Sequence, residues 1–179
     1  MSPENPLQEL VQRCQSGEYA AFEEVFRQFQ PRLRYYLRRL DCNGNHIDDT
    51  LQDVWVKVVR GIRSLRDPQA FVAWLYRVAR NEVYGHGRAR DPFVGLQDEH
   101  LDLPADDAEP TFSDEDIGEL HRGLGRLKPD HREVLTLCFL EGLPQAQIAE
   151  ILGIRANTVR TRIYYAKQAL RRQMEKSHE

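Results

Sequence analysis

The sequence predicts an all-α protein: two small helical domains joined by an acidic flexible linker, the second containing a helix-turn-helix. Three observations predict it. Apolar residues recur at helical spacing along most of the chain, and almost nothing alternates as a strand would. Charge is unevenly spread: residues 1–90 carry 14 basic and 11 acidic side chains, residues 91–119 none and 11, and residues 120–179 carry 11 and 6. The stretch PQAQIAEILGIRANTVRTRIYYAKQALRR, Pro144 to Arg172, joins a short apolar-faced segment to a basic one through a glycine. The formal net charge of −3 over 179 residues therefore conceals two basic lobes tied by an acidic strap.

The elements follow in order. Leu7, Leu10, Val11 and Cys14 share one face of a first helix that stops before Gly17. Phe22, Val25, Phe26 and Phe29 make the next face, ending before Pro31, and Leu33, Leu37 and Leu40 continue the pattern until the turn DCNGN, Asp41 to Asn45. Leu51, Val54, Trp55, Val58 and Ile62 define a longer amphipathic helix. Asp67-Pro68 supplies an N-cap followed by proline at the first helical position. The helix it opens carries Phe71, Trp74, Leu75, Val78 and Ala79 on one stripe, and Gly85 and Gly87 are expected to end it. Phe71 and Trp74 lie on that stripe and read as core rather than as stacking platforms.

Residues 1–90 form the first domain. Residues 91–113 hold Pro92, Pro104 and Pro110, few apolar side chains and no basic one, the composition of an extended linker. The second domain, 114–179, begins with a helix marked by Ile117, Leu120, Leu124 and Leu127. Lys128-Pro129 opens another, with Val134, Leu135, Leu137, Cys138 and Leu140 facing inward, and Glu141-Gly142 turns the chain into the helix-turn-helix. Its first helix is expected to open at Pro144 and run to Leu152 with Ile148, Ile151 and Leu152 buried. Small Ala149 allows close approach, Gly153 permits the turn, and Ile154, Val159 and Ile163 pin the second helix. From Ile154 to Arg172 there are six basic residues and no acidic one. Solvated helices usually mix signs as i,i+4 pairs, so this pattern suits entry into a DNA groove.

Other classes find little support. Cys14, Cys42 and Cys138 show no CxxC spacing and the six histidines are scattered, so no metal is expected, and no cofactor. No nucleophile with a base, paired acid or phosphate loop stands at usable spacing, so no enzyme is expected. The N-terminus lacks a basic start and an apolar run, and no 18-residue apolar stretch exists, so neither export nor membrane insertion is expected and the protein should be cytoplasmic.

Three runs in order, HIDDTLQDVWVKVV, FVAWLYRVARN and LKPDHREVLTLCFLEGLPQAQIAEILGIRANTVRTRIYYAKQAL, resemble a bacterial sigma-70 family sigma factor of the extracytoplasmic-function (group 4) type. The likeness covers most of the chain. It implies an alternative sigma factor that binds core RNA polymerase and directs promoter-specific transcription initiation. The first domain would bind core and recognise and melt the −10 element; the second would read the −35 element. The resemblance places docking on the polymerase's β′ coiled coil at Asp48, Asp49, Gln52 and Asp53. Asp49 and Asp53 are an i,i+4 like-charge pair, which disfavours an isolated helix but suits a basic partner.

Holding an unstacked −10 base falls, by the same resemblance, to the loop Ser64 to Gln69, which contains Arg66, and to Tyr76, Arg77, Arg80 and Asn81 projecting from the next helix. Arg77 and Arg80 can neutralise phosphates and the Asn81 amide can read a base edge. At the −35 element the second helix would present Arg155, Asn157 and Thr158 at its opening, then Arg160, Thr161, Arg162, Tyr164, Tyr165 and Lys167. Arg160 suits bidentate contact with guanine; Arg162 and Lys167 suit phosphates. Three positions depart from the family pattern: His46 stands where an acid is common, Thr50 where an aliphatic residue is, and Tyr165 where a basic one is. Thr50 is also a weak candidate for phosphorylation. An anti-sigma factor is a further candidate partner. Two alternatives compete with this reading: a stand-alone helix-turn-helix regulator, which leaves the first domain unexplained, and a sigma mimic that titrates an anti-sigma factor, which the intact basic helix disfavours.

Overall fold

The structure, a computed structural model, describes residues 5–40, 46–86 and 121–175. The turn expected at Asp41 to Asn45, the strap at 91–113 and residues 114–120 lie outside them. Among the described residues every regular element is helical. The chain divides into two units, Met1–Ala89 and Arg90–Glu179.

In the first unit, α1 (Pro6–Gln15) starts on Asn5, whose side chain accepts the Leu7 N–H at 3.2 Å, with Pro6 in the first turn where its missing donor is harmless. It buries Leu10, Val11 and Cys14. Burial pushes the Cys14 thiol up, so it behaves as a small hydrophobe. The next helix, α2 (Tyr19–Leu40), runs straight through Pro31 rather than stopping before it. Proline inside a helix costs about 3 kcal/mol. Pro31 is exposed, so the ring sits on the solvent side, while Val25, Phe29, Leu33, Tyr36 and Leu37 are buried on the other and hold the helix together across it.

Helix α3 (Ile47–Gly61) buries Ile47, Leu51, Val54, Trp55 and Val58, as the spacing predicts. A 3-10 turn (Ile62–Ser64) follows, and the Gln15 side chain donates to the carbonyls of Ile62 (3.0 Å) and Leu65 (2.7 Å), tying the loop that carries Arg66 to α1. Asp67 caps the next segment by accepting the Gln69 N–H at 2.9 Å. One 3-10 turn (Pro68–Ala70) leads into α4 (Phe71–His86), which includes Gly85; Gly87, the other glycine expected to end it, lies outside the described residues. Helix α4 packs against both α2 and α3, so its buried face is wider than one stripe: Phe71, Ala73, Leu75, Tyr76, Ala79 and Glu82 are all buried, with Trp74 and Val78 half-buried. Trp74 lies so close to Gly61 that a Cβ there would stand 2.9 Å from its ring.

The second unit has helical residues 121–125, then α5 (Pro129–Leu135), which continues as one π-helical turn (Thr136–Leu140). The Thr136 hydroxyl donates to the Arg132 carbonyl (2.7 Å), and the Glu141 N–H reaches back to the Thr136 carbonyl (3.0 Å). The extra residue in that turn rotates later side chains, which is why Leu137 is buried but Cys138 and Leu140 are only half so. Helix α6 (Gln145–Leu152) begins one residue later than expected: Pro144 is its cap, in extended conformation (ψ 149°) rather than helical. Ile148, Ile151 and Leu152 are buried. Gly153 turns the chain at φ +66° into α7 (Ala156–Glu175), which buries Val159, Arg162, Ile163, Ala166 and Leu170 against α5 and α6.

Open space surrounds both Gly153 and Gly125, but only Gly153 has positive φ. Gly153→Ala is therefore expected to destabilise the second unit by about 1–2 kcal/mol, the left-handed penalty of an L-residue, while Gly125→Ala leaves it unchanged or slightly firmer. Thermal unfolding followed by circular dichroism checks the contrast; equal effects would contradict it.

Candidate nucleic-acid interface

The 20 residues of α7 present two faces. Its inner face is apolar apart from Arg162; outward stand Asn157, Arg160 and Tyr165, with Arg155 exposed just before the helix and its carbonyl accepting the Val159 N–H at 3.1 Å. Thr158, Thr161, Tyr164 and Lys167 are half-buried along the margins. The Thr161 hydroxyl donates to the Asn157 carbonyl (3.1 Å), the rings of Tyr164 and Tyr165 meet edge to face at 5.4 Å, and the Lys167 ammonium lies 5.3 Å over Phe139. A helix of this width fits the major groove of B-DNA, and its outer face offers an amide, a guanidinium and aromatic edges to base pairs.

One expected phosphate ligand is misplaced. Arg162 is buried, 8% exposed, on the face turned toward α5. At 3.6 residues per turn it falls beside Val159 and Ile163, and the run of alternate arginines hid that phase.

The α4 residues divide similarly. Arg77 and Asn81, one turn apart, are exposed, as is Arg66 in the loop; Arg80 is half-buried with its guanidinium 4.7 Å over the Tyr84 ring. Tyr76, expected to project outward, is instead fully buried, packed edge to face on Tyr36 at 5.1 Å. The cause is the double packing of α4: with both α2 and α3 against it, the neighbour of Leu75 also turns inward.

Asp48, Asp49, Gln52 and Asp53 are all exposed on α3. Asp48 pairs with Arg34 of α2 at 2.6 Å, and His46 Nδ1 lies 3.8 Å from Asp49. Beside them runs a groove of about 530 Å³ between α2 and α3, lined by Phe26, Trp55, Val56 and Val59 with Arg34, Asp48 and Gln52 at its rim. Phe26 and Val56 are each 40% exposed and Val59 is 53% exposed. Sequence reasoning missed this apolar strip; its signal was Val56 and Val59 standing off the buried stripe of an otherwise amphipathic helix. Glu82 was missed as well: it falls on the α4 stripe eleven residues after Phe71, is 3% exposed, and accepts a hydrogen bond from Lys57 of α3. Thr50 shares a pocket with Asp49, Asp53 and Glu82, so a phosphate there would meet like charges.

Among the described residues no cluster of three or more His, Cys, Asp or Glu could hold a metal, and no helix is long and apolar enough to cross a membrane. A helix-turn-helix with a polar outer face and buried apolar inner face puts the chain in the class of helical, sequence-reading DNA-binding proteins. Residues 25–92 match the family described as Sigma-70 region 2 and residues 117–170 the family described as Sigma-70, region 4. The chain is 30% identical to the RNA polymerase sigma-H factor of Pseudomonas aeruginosa, over 91% of each chain. To the ECF RNA polymerase sigma-E factor of Haemophilus influenzae it is 32% identical, over 91% of this chain and 92% of that one. In fold it resembles the sigma factor RpoE of Bartonella quintana, solved in complex with the anti-sigma factor NepR: TM-score 0.65, 23% identity, 86% of this chain and 96% of that one. The chain belongs to the extracytoplasmic-function group of the sigma-70 family. It is an alternative sigma factor, a partner of core RNA polymerase and promoter DNA in transcription initiation.

His131, on α5, is half-buried, and burial holds its pKa below the usual 6.5, with Lys128 and Arg162 adding to the depression and Asp130 opposing it. A depressed histidine binds its proton more tightly in the unfolded chain. Stability of the second unit is therefore expected to fall as pH drops below about 6.5, the ordinary histidine value, and to level off below the folded pKa. Denaturant unfolding between pH 7.5 and 5 should show this slope, and His131→Gln should flatten it.

Proposed function

We propose that the two units divide promoter recognition, with residues 1–90 docking on core polymerase and opening the −10 element, residues 91–113 linking, and residues 114–179 reading the −35 element. The observation that carries this is the outer face of α7, where Asn157 and Arg160 stand exposed one turn apart behind a helix-turn-helix. Arg160 reads guanine bidentately; Asn157, Thr158, Thr161, Tyr164 and Tyr165 line the same groove, and Arg155 and Lys167 serve phosphates. In the first unit Arg66, Arg77, Arg80 and Asn81 hold the opened −10 strand, Arg80 with Tyr84 forming a cation–aromatic platform suited to a base.

Asp48, Asp49, Gln52 and Asp53 meet the β′ coiled coil. The apolar strip of Phe26, Val56 and Val59 supports the docking reading, because a large exposed apolar patch rimmed by charge is what a protein partner covers. An anti-sigma factor is a further partner, as it is of the similar Bartonella quintana protein. The protein works as an initiation factor without catalysis of its own, in the cytoplasm where polymerase and promoter meet.

Run-off transcription with and without core polymerase tests the reading: promoter-specific transcripts are expected only with both, and no transcript across a pool of genomic templates would sink it. The division between units has its own check. Arg160→Ala is expected to weaken recognition of the −35 element by about 1–3 kcal/mol while core binding stays intact, and Asp53→Arg is expected to do the reverse. Parallel loss of both activities in either variant would contradict the division.

A further inference from the structure

Among its described residues the second unit buries five charged side chains, Asp130, Arg132, Glu133, Glu141 and Arg162, each less than a tenth exposed. Taking a charge out of water costs several kcal/mol, and apolar side chains that replace a whole buried ion pair are often as stabilising or more so. Stability alone therefore gives little reason for a guanidinium on the inner face of α7. Direction does. Val159, Ile163, Ala166 and Leu170 seat α7 by non-directional contact, which tolerates small rotations, whereas a guanidinium is planar and directional. The Nε of Arg162 makes no hydrogen bond, so the directional hold falls to its two terminal amino groups. Arg162 is buried on the face of α7 that packs on α5 and α6, and its charge bears on His131 of α5. Arg160 lies two residues away, about 200° around the same helix. A rotation of about 20° moves a group at the helix surface, roughly 6 Å from the axis, by about 2 Å, more than a hydrogen bond to a base edge tolerates.

We propose that Arg162 is a positioning residue: its buried guanidinium fixes the rotation of α7, and with it the aim of Arg160 and Asn157, without itself touching DNA. This rests on the reading that α7 enters the −35 groove.

The test uses the full chain assembled with core polymerase, on a promoter found by run-off transcription and on single-base variants of its −35 element. Arg162→Met is expected to lower the unfolding temperature of the second unit while leaving it folded at assay temperature, to keep core binding and the salt dependence of promoter binding, and to lose about tenfold in preference for the correct −35 sequence. The His131 imidazole signals in NMR should titrate at higher pH in this variant, because a neighbouring cation has gone, a shift that mere space-filling would not produce. Unchanged sequence preference overturns the proposal. So does a uniform loss of affinity whose salt slope is shallower by about 0.9, the mark of a lost phosphate contact. Should Arg162→Met unfold the second unit, Arg162→Lys decides, since it keeps the charge without the fork: a folded variant with reduced preference supports the proposal and one with full preference overturns it. A wild-type chain indifferent to −35 sequence in the same assay would instead count against the proposed function.

Discussion

The rotation of α7 about its own axis is the constraint on which the rest of this protein's function depends. Residues advance by 100° along a helix, so burying Val159, Ile163, Ala166 and Leu170 determines at once that Asn157 and Arg160 face away from the unit. Burying each of Val159, Ile163 and Leu170 contributes roughly 1.5–3 kcal/mol, enough together to hold the helix down but not, by itself, to select one rotation to within a few degrees. The left-handed turn at Gly153 sets where α7 begins, and α5 and α6 supply the floor on which it lies. If α7 reads the −35 element as proposed, promoter reading is a consequence of core packing: the bases are met by whatever the core leaves outside.

The first unit solves the opposite problem. Its core is generous, with α4 wedged against both α2 and α3, and aromatic contacts running from Phe22 and Phe26 to Trp55 and from Phe29 to Phe71. What matters for partners is what that core fails to cover. The acids of α3 stand in solvent, where the Arg34–Asp48 pair contributes at most about 1 kcal/mol, so a basic surface can displace it cheaply. Next to them Phe26, Val56 and Val59 remain exposed. Charge at the rim steers encounter and the apolar strip rewards close fit, the usual division within an interface. The buried Glu82 accepts a hydrogen bond from Lys57 of α3 and so ties α3 to α4 behind the proposed docking face.

How much of this was legible in the sequence depended on whether a residue's character matched its position. The stripe Leu51, Val54, Trp55, Val58 and Ile62 is apolar and buried throughout, and the caps at Asn5 and Asp67 are written in their own chemistry. The site was less legible. Tyr76 and Arg162 carry polar tips that suit the surface, yet both lie inward, because helices packed on two sides bury more than a single stripe predicts. Pro31 and Pro144 failed for the opposite reason. A proline states only what it cannot do, and whether a helix survives it or waits one residue longer is decided by packing around it. Val56 and Val59 were visible but unread, since an apolar residue off the stripe signals a partner, and partners are not in the chain.

The burial of Arg162 also bears on why recognition needs two points. Six basic residues between Ile154 and Arg172 suggest a helix that grips DNA strongly by itself. Arg162 is withdrawn into the core, which leaves Arg155, Arg160, Arg171 and Arg172 exposed and Lys167 half-buried beside Phe139 at the margin. Each phosphate neutralised adds a term of about 0.9 to the salt slope of binding. A helix with few such contacts, one of them assigned to a base, holds duplex DNA only weakly at physiological salt. On the proposed division, tethering through polymerase to a second contact at the −10 element makes the same weak grip selective, because the effective concentration supplied by the first site multiplies affinity without hiding differences between sequences. A stronger basic helix would bind everywhere; one whose third arginine is spent on aim rather than on phosphate binds where the bases fit.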